Sequence, residues 1–141
     1  MGTPEDIQPD KMLKALLAPS MGAAGGTRLP ADFLVRLDPY GWWLAREVAG
    51  AGVADDRFAD ALTVQLDALA AGDTPRETAR RLCRRMLTTL RTAQRQATPT
   101  PYGHIGFLRV DAWPTEVREP DQPSETARYT AACSLIVRPP A

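Results

Sequence analysis

The second half of the chain constrains the fold most, because its hydrophobic pattern changes period in a definite order. Residues 61–69 alternate apolar and polar side chains, which is typical of a strand buried on one face. Residues 75–96 carry an apolar stripe with the period of an α-helix. Two further strand patterns follow at 105–113 and 128–138. This order predicts a small sheet with one long helix packed across it.

The long helix has recognisable boundaries. Thr74 and Pro75 supply an N-cap and a proline at the first helical position, and Glu77 follows three residues after the cap. The proline-containing segment that starts at Thr98 is expected to end the helix. The apolar stripe that should face the sheet consists of Ala79, Leu82, Cys83, Met86, Leu87, Leu90 and Ala93.

The first half of the chain is predicted to add a short helix and one strand. The apolar pattern of Met12–Leu17 indicates a helix within residues 1–20, which Pro19 and Ser20 should end. Residues 21–30 contain glycines and are expected to form a flexible linker. Residues 33–38 are predicted to be the first strand, antiparallel to 61–69.

These segments together predict a single α/β (α+β) domain, with its core at 31–138. The sheet should contain about four strands, antiparallel or mixed, with the long helix across it. Residues 128–138 have small or apolar side chains on both faces, which favours a central or covered strand over a free edge. Gly106 is expected to mark a bulge or a close approach within its strand.

Composition excludes several classes of function. Seventeen basic and seventeen acidic residues cancel, so the whole chain has no net field that would attract nucleic acid or a membrane. No apolar run approaches the ~18 residues of a membrane span, and the N-terminus lacks the features of a signal peptide. We therefore expect synthesis in the cytoplasm. Cys83 and Cys133 lie within core patterns and are expected to be buried free thiols.

The sequence contains no convincing catalytic or metal-binding group of residues. The single histidine, His104, has no metal-ligating partner nearby in sequence. The acidic residues at 55, 56 and 60 adjoin Arg57 and lack the spacing of a calcium loop, so a solvated turn is the favoured interpretation. No serine lies in a nucleophile elbow, and the glycines at 22–26 do not form a phosphate loop. We expect no enzymatic activity, no cofactor and no metal.

The arginines of the long helix are unusual. Seven arginines lie between Asp73 and Gln96 against two acidic residues, a local excess of five positive charges. One interpretation is a basic face that meets phosphate groups or an acidic neighbour. The other is a solvated helix surface in a genome that favours arginine over lysine. The residues predicted to form one polar stripe are Arg80, Arg84, Arg91 and Arg95.

The adjacent tryptophans Trp42 and Trp43 are a second unusual feature. In a strand they point to opposite faces, so one would belong to the core and the other would be available to a partner. A packed loop is the alternative. The sequence leaves residues 39–60 unassigned between strand and short helix.

The layout resembles the tail terminator proteins of long-tailed bacteriophages, in the form found in phages of actinobacteria. The resemblance covers nearly the whole chain and rests on pattern. It includes the N-terminal helix, the Leu-Pro-x-x-x-Leu-Val-Arg segment at 29–36, Thr-Val-Gln-Leu-Asp-Ala-Leu-Ala at 63–70, and the closing segment 128–139 after a Trp-Pro and a loop. The sequence departs from the family at 40–43, where Tyr-Gly-Trp-Trp replaces a common Gly-Gly turn.

The resemblance implies a structural role in the virion. Subunits of this family form a ring, commonly a hexamer, that caps the tail tube, stops its growth and binds the head connector; DNA passes through the ring. In the ring, Asp55, Asp56 and Asp60 are expected to pair with Arg80, Arg84 and Arg91 of a neighbour, and the loops 40–60 and 114–127 are expected to supply contacts. The candidate interface residues are Trp42, Trp43, Asp55, Asp56, Arg57, Asp60, Arg80, Arg84, Arg91, Arg95, Glu116, Arg118 and Glu119.

Two other hypotheses remain open at this point. Another neck component, such as a stopper or connector protein, would share the same small domain in a ring. A small nucleic-acid-binding domain would instead use the arginine-rich helix, with binding that weakens steeply as salt rises.

Overall fold

The computed structural model describes residues 2, 4–29, 41–50, 59–118, 120, 122, 123 and 125–140. Within them the fold is α+β, as predicted, with a five-stranded mixed sheet and two α-helices. A short 3-10 turn, Pro4–Asp6, precedes the first helix. The elements are α1 (Pro9–Met21), β1 (Ala24–Gly26), β2 (Trp42–Gly50), β3 (Asp60–Ala71), α2 (Pro75–Arg95), β4 (His104–Glu116) and β5 (Thr126–Arg138).

The strands lie in the order β1-β2-β3-β5-β4, with β1 parallel to β2 and all other neighbours antiparallel. The prediction that β5 is a central strand is confirmed, since it pairs with β3 on one side and with β4 on the other. Residues 42–50, left unassigned by the sequence, form the strand beside β3. The predicted strand at 33–38 lies outside the described residues.

Helix α2 packs on one face of the sheet through the stripe that the sequence predicted. All seven residues of the stripe are buried, and Leu90 and Cys83 are fully inaccessible. Pro75 occupies the first turn, as expected. Thr74 lies at the N-cap position, but its side chain makes no capping hydrogen bond, so that detail of the prediction is wrong.

Helix α1 is longer than predicted. It continues through Pro19 to Met21 and ends where Gly22 adopts a left-handed conformation (φ 65°). Pro19 lacks an N–H and so removes one i→i−4 hydrogen bond from the last turn of α1, which the helix nevertheless completes. Arg85 of α2 donates a hydrogen bond of 3.2 Å to the carbonyl of Met21. This cation at the C-terminus of α1 ties the two helices together.

The segment predicted as a linker contains a short strand. Ala24–Gly26 pairs with Trp42–Leu44 and forms one edge of the sheet. Gly25 lies so close to Trp43 that a Cβ on it would come within 2.3 Å of the indole ring. Glycine therefore lets the Trp43 ring lie against β1, where its Nε1 donates a hydrogen bond of 3.1 Å to the carbonyl of Ala23.

Strand β4 forms the opposite edge and is irregular. Its register with β5 shifts between Ile105 and Phe107, which confirms the bulge expected at Gly106, and shifts twice more before Thr115. Bulges of this kind, together with Pro114, make an edge a poor template for pairing with another strand. Because β4 and β5 are longer than predicted, the expected loop at 114–127 shortens to 117–125.

Both helices pack on the same side of the sheet. The buried residues of β3 on that side are Leu62, Val64, Leu66, Ala68 and Ala70, and the core joins them to both helices. On the opposite side no helix of the described residues packs, and we call that side the helix-free face. The side chains that alternate with the buried ones along each strand point to this face.

Candidate interaction surfaces

The arginine side chains of α2 point away from the sheet, because the apolar stripe fixes the orientation of the helix. Every exposed position of α2 is an arginine, Glu77 or a threonine. The rigid helix therefore presents a surface of positive charge without an apolar side chain among its exposed residues.

Three of the seven arginines have partners. Arg81 forms an i,i+4 ion pair of 2.8 Å with Glu77, and Arg85 bonds the carbonyl of Met21. Arg76 Nε lies 2.8 Å from Glu116 Oε2, but this oxygen accepts no hydrogen bond, so the contact is ionic without good hydrogen-bond geometry. The pair of Arg81 with Glu77 is exposed on both sides and contributes little stability, of order 0–1 kcal/mol.

The other four arginines make no hydrogen bond or ion pair within the described part of the chain. They are the stripe predicted from the sequence, Arg80, Arg84, Arg91 and Arg95, which we call the arginine row. From Arg80 to Arg95 the row covers 15 residue steps of α2, or roughly 22 Å at the rise of an α-helix. Two of its members border an open groove of about 490 Å³ lined by Arg76, Glu77, Arg80, Arg81, Arg84 and Tyr129.

The helix-free face contains the second candidate surface, a shallow apolar trough of about 330 Å³. Val48 and Trp113 lie at its border and remain 47% and 63% exposed, and Phe107, on the same face, is 50% exposed. The trough is also lined by Gln65, Ala112, Thr115, Thr130, Ala131 and Ala132. We call Val48, Phe107 and Trp113 the sheet-face patch.

A polar group lies beside the patch on β4 and β5. Arg109 pairs with Asp111 at 2.8 Å, and the hydroxyl of Ser134 donates a short hydrogen bond to the same carboxylate. The Ser134 hydrogen bond, followed by the Arg109 hydrogen bond, lowers the pKa of Asp111. Asp111 is thus held in its charged form next to Arg109, so this border presents both signs of charge.

Asp67 of β3 is fully buried on the helix-free side, where the alternation pattern placed it among partly exposed polar residues. Gln65 Nε2 lies 3.1 Å from both carboxylate oxygens, and Arg128 Nη2 lies 3.3 Å from Oδ2. A buried carboxylate needs such partners, because an unpaired charge there would cost several kcal/mol. Nothing in the local sequence pattern distinguishes this residue from exposed Asp residues.

The tryptophan prediction is only half right. Trp42 and Trp43 do point to opposite faces of β2, with Trp43 in the core between the sheet and the helices. Trp42 is not available to a partner, however, since it is only 9% exposed. Its Nε1 is buried without an acceptor in the described residues.

The remaining predicted interface residues are dispersed. Asp60 begins β3 opposite Val137, and Glu116 ends β4 in contact with Arg76. Arg118 donates a hydrogen bond of 3.1 Å to the carbonyl of Thr126. Asp55, Asp56, Arg57 and Glu119 lie outside the described residues, so the expected pairing with the arginine row stays a prediction.

The predicted thiols are confirmed as free and buried. Burial, with a smaller effect of Asp67, raises the pKa of Cys83 to about 12, and burial together with Asp111 raises that of Cys133 to about 12. Neither thiol is therefore reactive at neutral pH. His104 opens β4 opposite Arg138. Among the described residues no cluster of His, Cys, Asp and Glu has the composition of a metal site.

Sequence reasoning missed the sheet-face patch, although a signal was present. Phe107 and Trp113 share a period of two with Arg109 and Asp111, which places the aromatic rings on the polar side of β4. Large aromatics on a polar face are typical of an interaction surface.

Comparison with models of known protein families and with curated protein sequences finds no match to this chain. Neither described helix has the length and apolarity needed to cross a membrane.

Proposed function

We propose that this chain is a structural subunit of a homo-oligomeric ring of the tail-terminator type. The ring caps the tail tube of a long-tailed phage, stops its growth and joins it to the head connector, so its place is in the virion. The observation that carries the proposal is the sheet-face patch, in which the exposed side chains of Val48 and Trp113 line a trough and Phe107 is exposed on the same face. Tryptophan in such a setting is typical of a binding hot spot.

A second copy of this chain is the occupant that we propose for the trough. Arg109 and Asp111, which lie between Phe107 and Trp113 along β4, carry opposite charges and pair with each other, so a neutral chain meets no net repulsion there. A ring of more than two subunits needs two different surfaces, one on each neighbour. The trough supplies one of them, and the segments at 51–58 and 117–125 are proposed to supply the other.

The proposal assigns no catalytic activity to the protein. His104 starts a strand opposite Arg138, and both cysteines are buried with raised pKa values. A structural role requires none of these groups to react. We accordingly propose that the protein has neither cofactor nor catalytic metal.

The proposal is tested by the double variant Phe107→Ser and Trp113→Ser. Light scattering coupled to size exclusion should give the mass of a closed ring for the natural protein and a lower mass for the variant. The matched control is Leu29→Ser, which replaces another exposed apolar residue (39% exposed) that does not line the trough. Circular dichroism checks that all three proteins are folded.

A functional assay completes the test. Tail tube protein polymerised with the natural protein should form shorter tubes than tube protein alone, and the double variant should lose this effect. A natural protein that stays monomeric with tube protein present and leaves tube length unchanged would refute the proposal.

A further inference from the structure

We infer that the arginine row binds the phosphate backbone of double-stranded nucleic acid. The inference goes beyond the proposed ring and does not depend on it, because the row and the sheet-face patch lie on opposite sides of the protomer. It rests on three observations, which concern charge, chemical composition and rigidity of the exposed face of α2.

The charge of the row is uncompensated. The acidic residues near the groove are already engaged, Glu77 by Arg81 and Glu116 by Arg76. Four arginines remain without an ion-pair partner in the described residues, and like charges at i,i+4 repel one another. A polyanion relieves this repulsion, and the counterions that it releases favour binding.

The residue composition of this face favours a nucleic acid over an acidic protein as its binding partner. Protein interfaces combine a rim of charge with an apolar or aromatic centre. The exposed positions of α2 are all arginine, glutamate or threonine, and the large exposed apolar residues of the described chain, Leu29, Val48, Phe107 and Trp113, lie elsewhere. Tyr129, which lines the groove beside Arg80 and Arg84, is half-buried. The face is therefore suited to a partner that binds chiefly through charge and hydrogen bonds.

The geometry of the row suits a uniformly charged polymer. The guanidinium groups are carried by one rigid helix whose apolar stripe is buried, and they repeat over roughly 22 Å. Each guanidinium is able to hold a phosphate through two hydrogen bonds. Contacts to phosphate carry no direct sequence information, so we expect binding without sequence preference.

The test measures binding of a fluorescent DNA duplex at several salt concentrations. Four phosphate contacts per protomer predict a slope of about −3.6 in a plot of log K against log salt, and hence a loss of roughly 150-fold between 50 and 200 mM salt. The variant Arg84→Gln with Arg91→Gln should halve the slope, because each removed phosphate contact lowers it by about one.

The matched control is Arg28→Gln with Arg46→Gln, which removes the same charge from exposed arginines outside α2. We expect the control to keep the slope of the natural protein. Equal losses in both double variants would overturn the inference, since net charge alone would then explain binding.

Two further outcomes would overturn it. One is binding of polyglutamate as tightly as DNA, which would indicate an acidic protein partner. The other is a lowered mass of the Arg84→Gln and Arg91→Gln variant with unchanged DNA binding, which would indicate that the row pairs with acidic residues of another copy. In contrast to these results, a failure of ring formation would leave the DNA measurement unaffected, so the two proposals are separable.

Discussion

At the scale of single residues, the clearest electrostatic prediction concerns Asp111. Its pKa lies below the ordinary value chiefly because Ser134 donates a hydrogen bond to the carboxylate. Ser134→Ala should therefore raise the pKa of Asp111, measured by NMR as the pH dependence of its carboxyl carbon. Thr115→Ala is the control, since the Thr115 hydroxyl bonds the carbonyl of Trp113 instead.

The sign of the effect on stability follows from linkage. A carboxylate with a lowered pKa in the folded state stabilises that state at pH values above its unfolded pKa, about 3.9 for Asp. This stabilisation disappears as the pH falls through the lowered pKa. Ser134→Ala should thus reduce the difference in stability between neutral and acidic pH, and an unchanged titration of Asp111 would contradict the assignment.

Asp67 and Trp42 show which residue properties the sequence could not reveal. Alternation places Asp67 on the polar face of its strand and the two tryptophans on opposite faces of theirs, because the side-chain period of a strand is local. Their burial is not local, since it depends on which parts of the chain lie over that face. The pattern therefore predicts an exposed Asp67 and one tryptophan available to a partner, whereas Asp67 is fully buried and both tryptophans are at most 9% exposed.

At the scale of elements, α2 is the part of the fold that the sequence predicted best. A 21-residue helix carries many repeats of its apolar period, so the signal survives an incorrect cap such as Thr74. The Ala-Gly-Gly strand β1 gave no signal, because three small residues have neither alternation nor β-branched side chains. Its strand character depends on pairing with β2, which is a tertiary contact.

The contribution of α2 to the stability of the fold gives a second prediction. Leu90 is fully buried between α2 and the sheet, so Leu90→Ala should lower the free energy of unfolding by ~2–5 kcal/mol. Urea denaturation at constant protein concentration measures the change. Thr88→Ala, at an exposed position of the same helix, should shift it by at most ~0.5 kcal/mol. A loss of similar size at both positions would show that α2 is not anchored through its apolar stripe.

At the scale of the whole molecule, the two surfaces divide the protomer. The sheet-face patch and the arginine row are separated by the sheet and by the buried stripe of α2, so changes at one should leave the other intact. The neutral chain thus combines a strongly basic helix with an apolar face on its opposite side. The net charge of zero does not reveal this arrangement, because it sums the charges on both sides of the protomer.

This separation predicts independent losses in combined variants. The variant Phe107→Ser with Trp113→Ser should have a lower mass but, as a single protomer, should still bind duplex DNA with a salt slope of about −3.6. Arg84→Gln with Arg91→Gln should lose about half of the slope. It should keep the mass of the natural protein, because DNA binding takes the place of the pairing with acidic residues of a neighbour that the sequence suggested. The quadruple variant should show both losses without additional unfolding. A sheet-face variant that is folded yet has lost the salt slope would show that DNA contacts need the assembled ring, and the arginine row of one protomer would then not suffice as the binding surface.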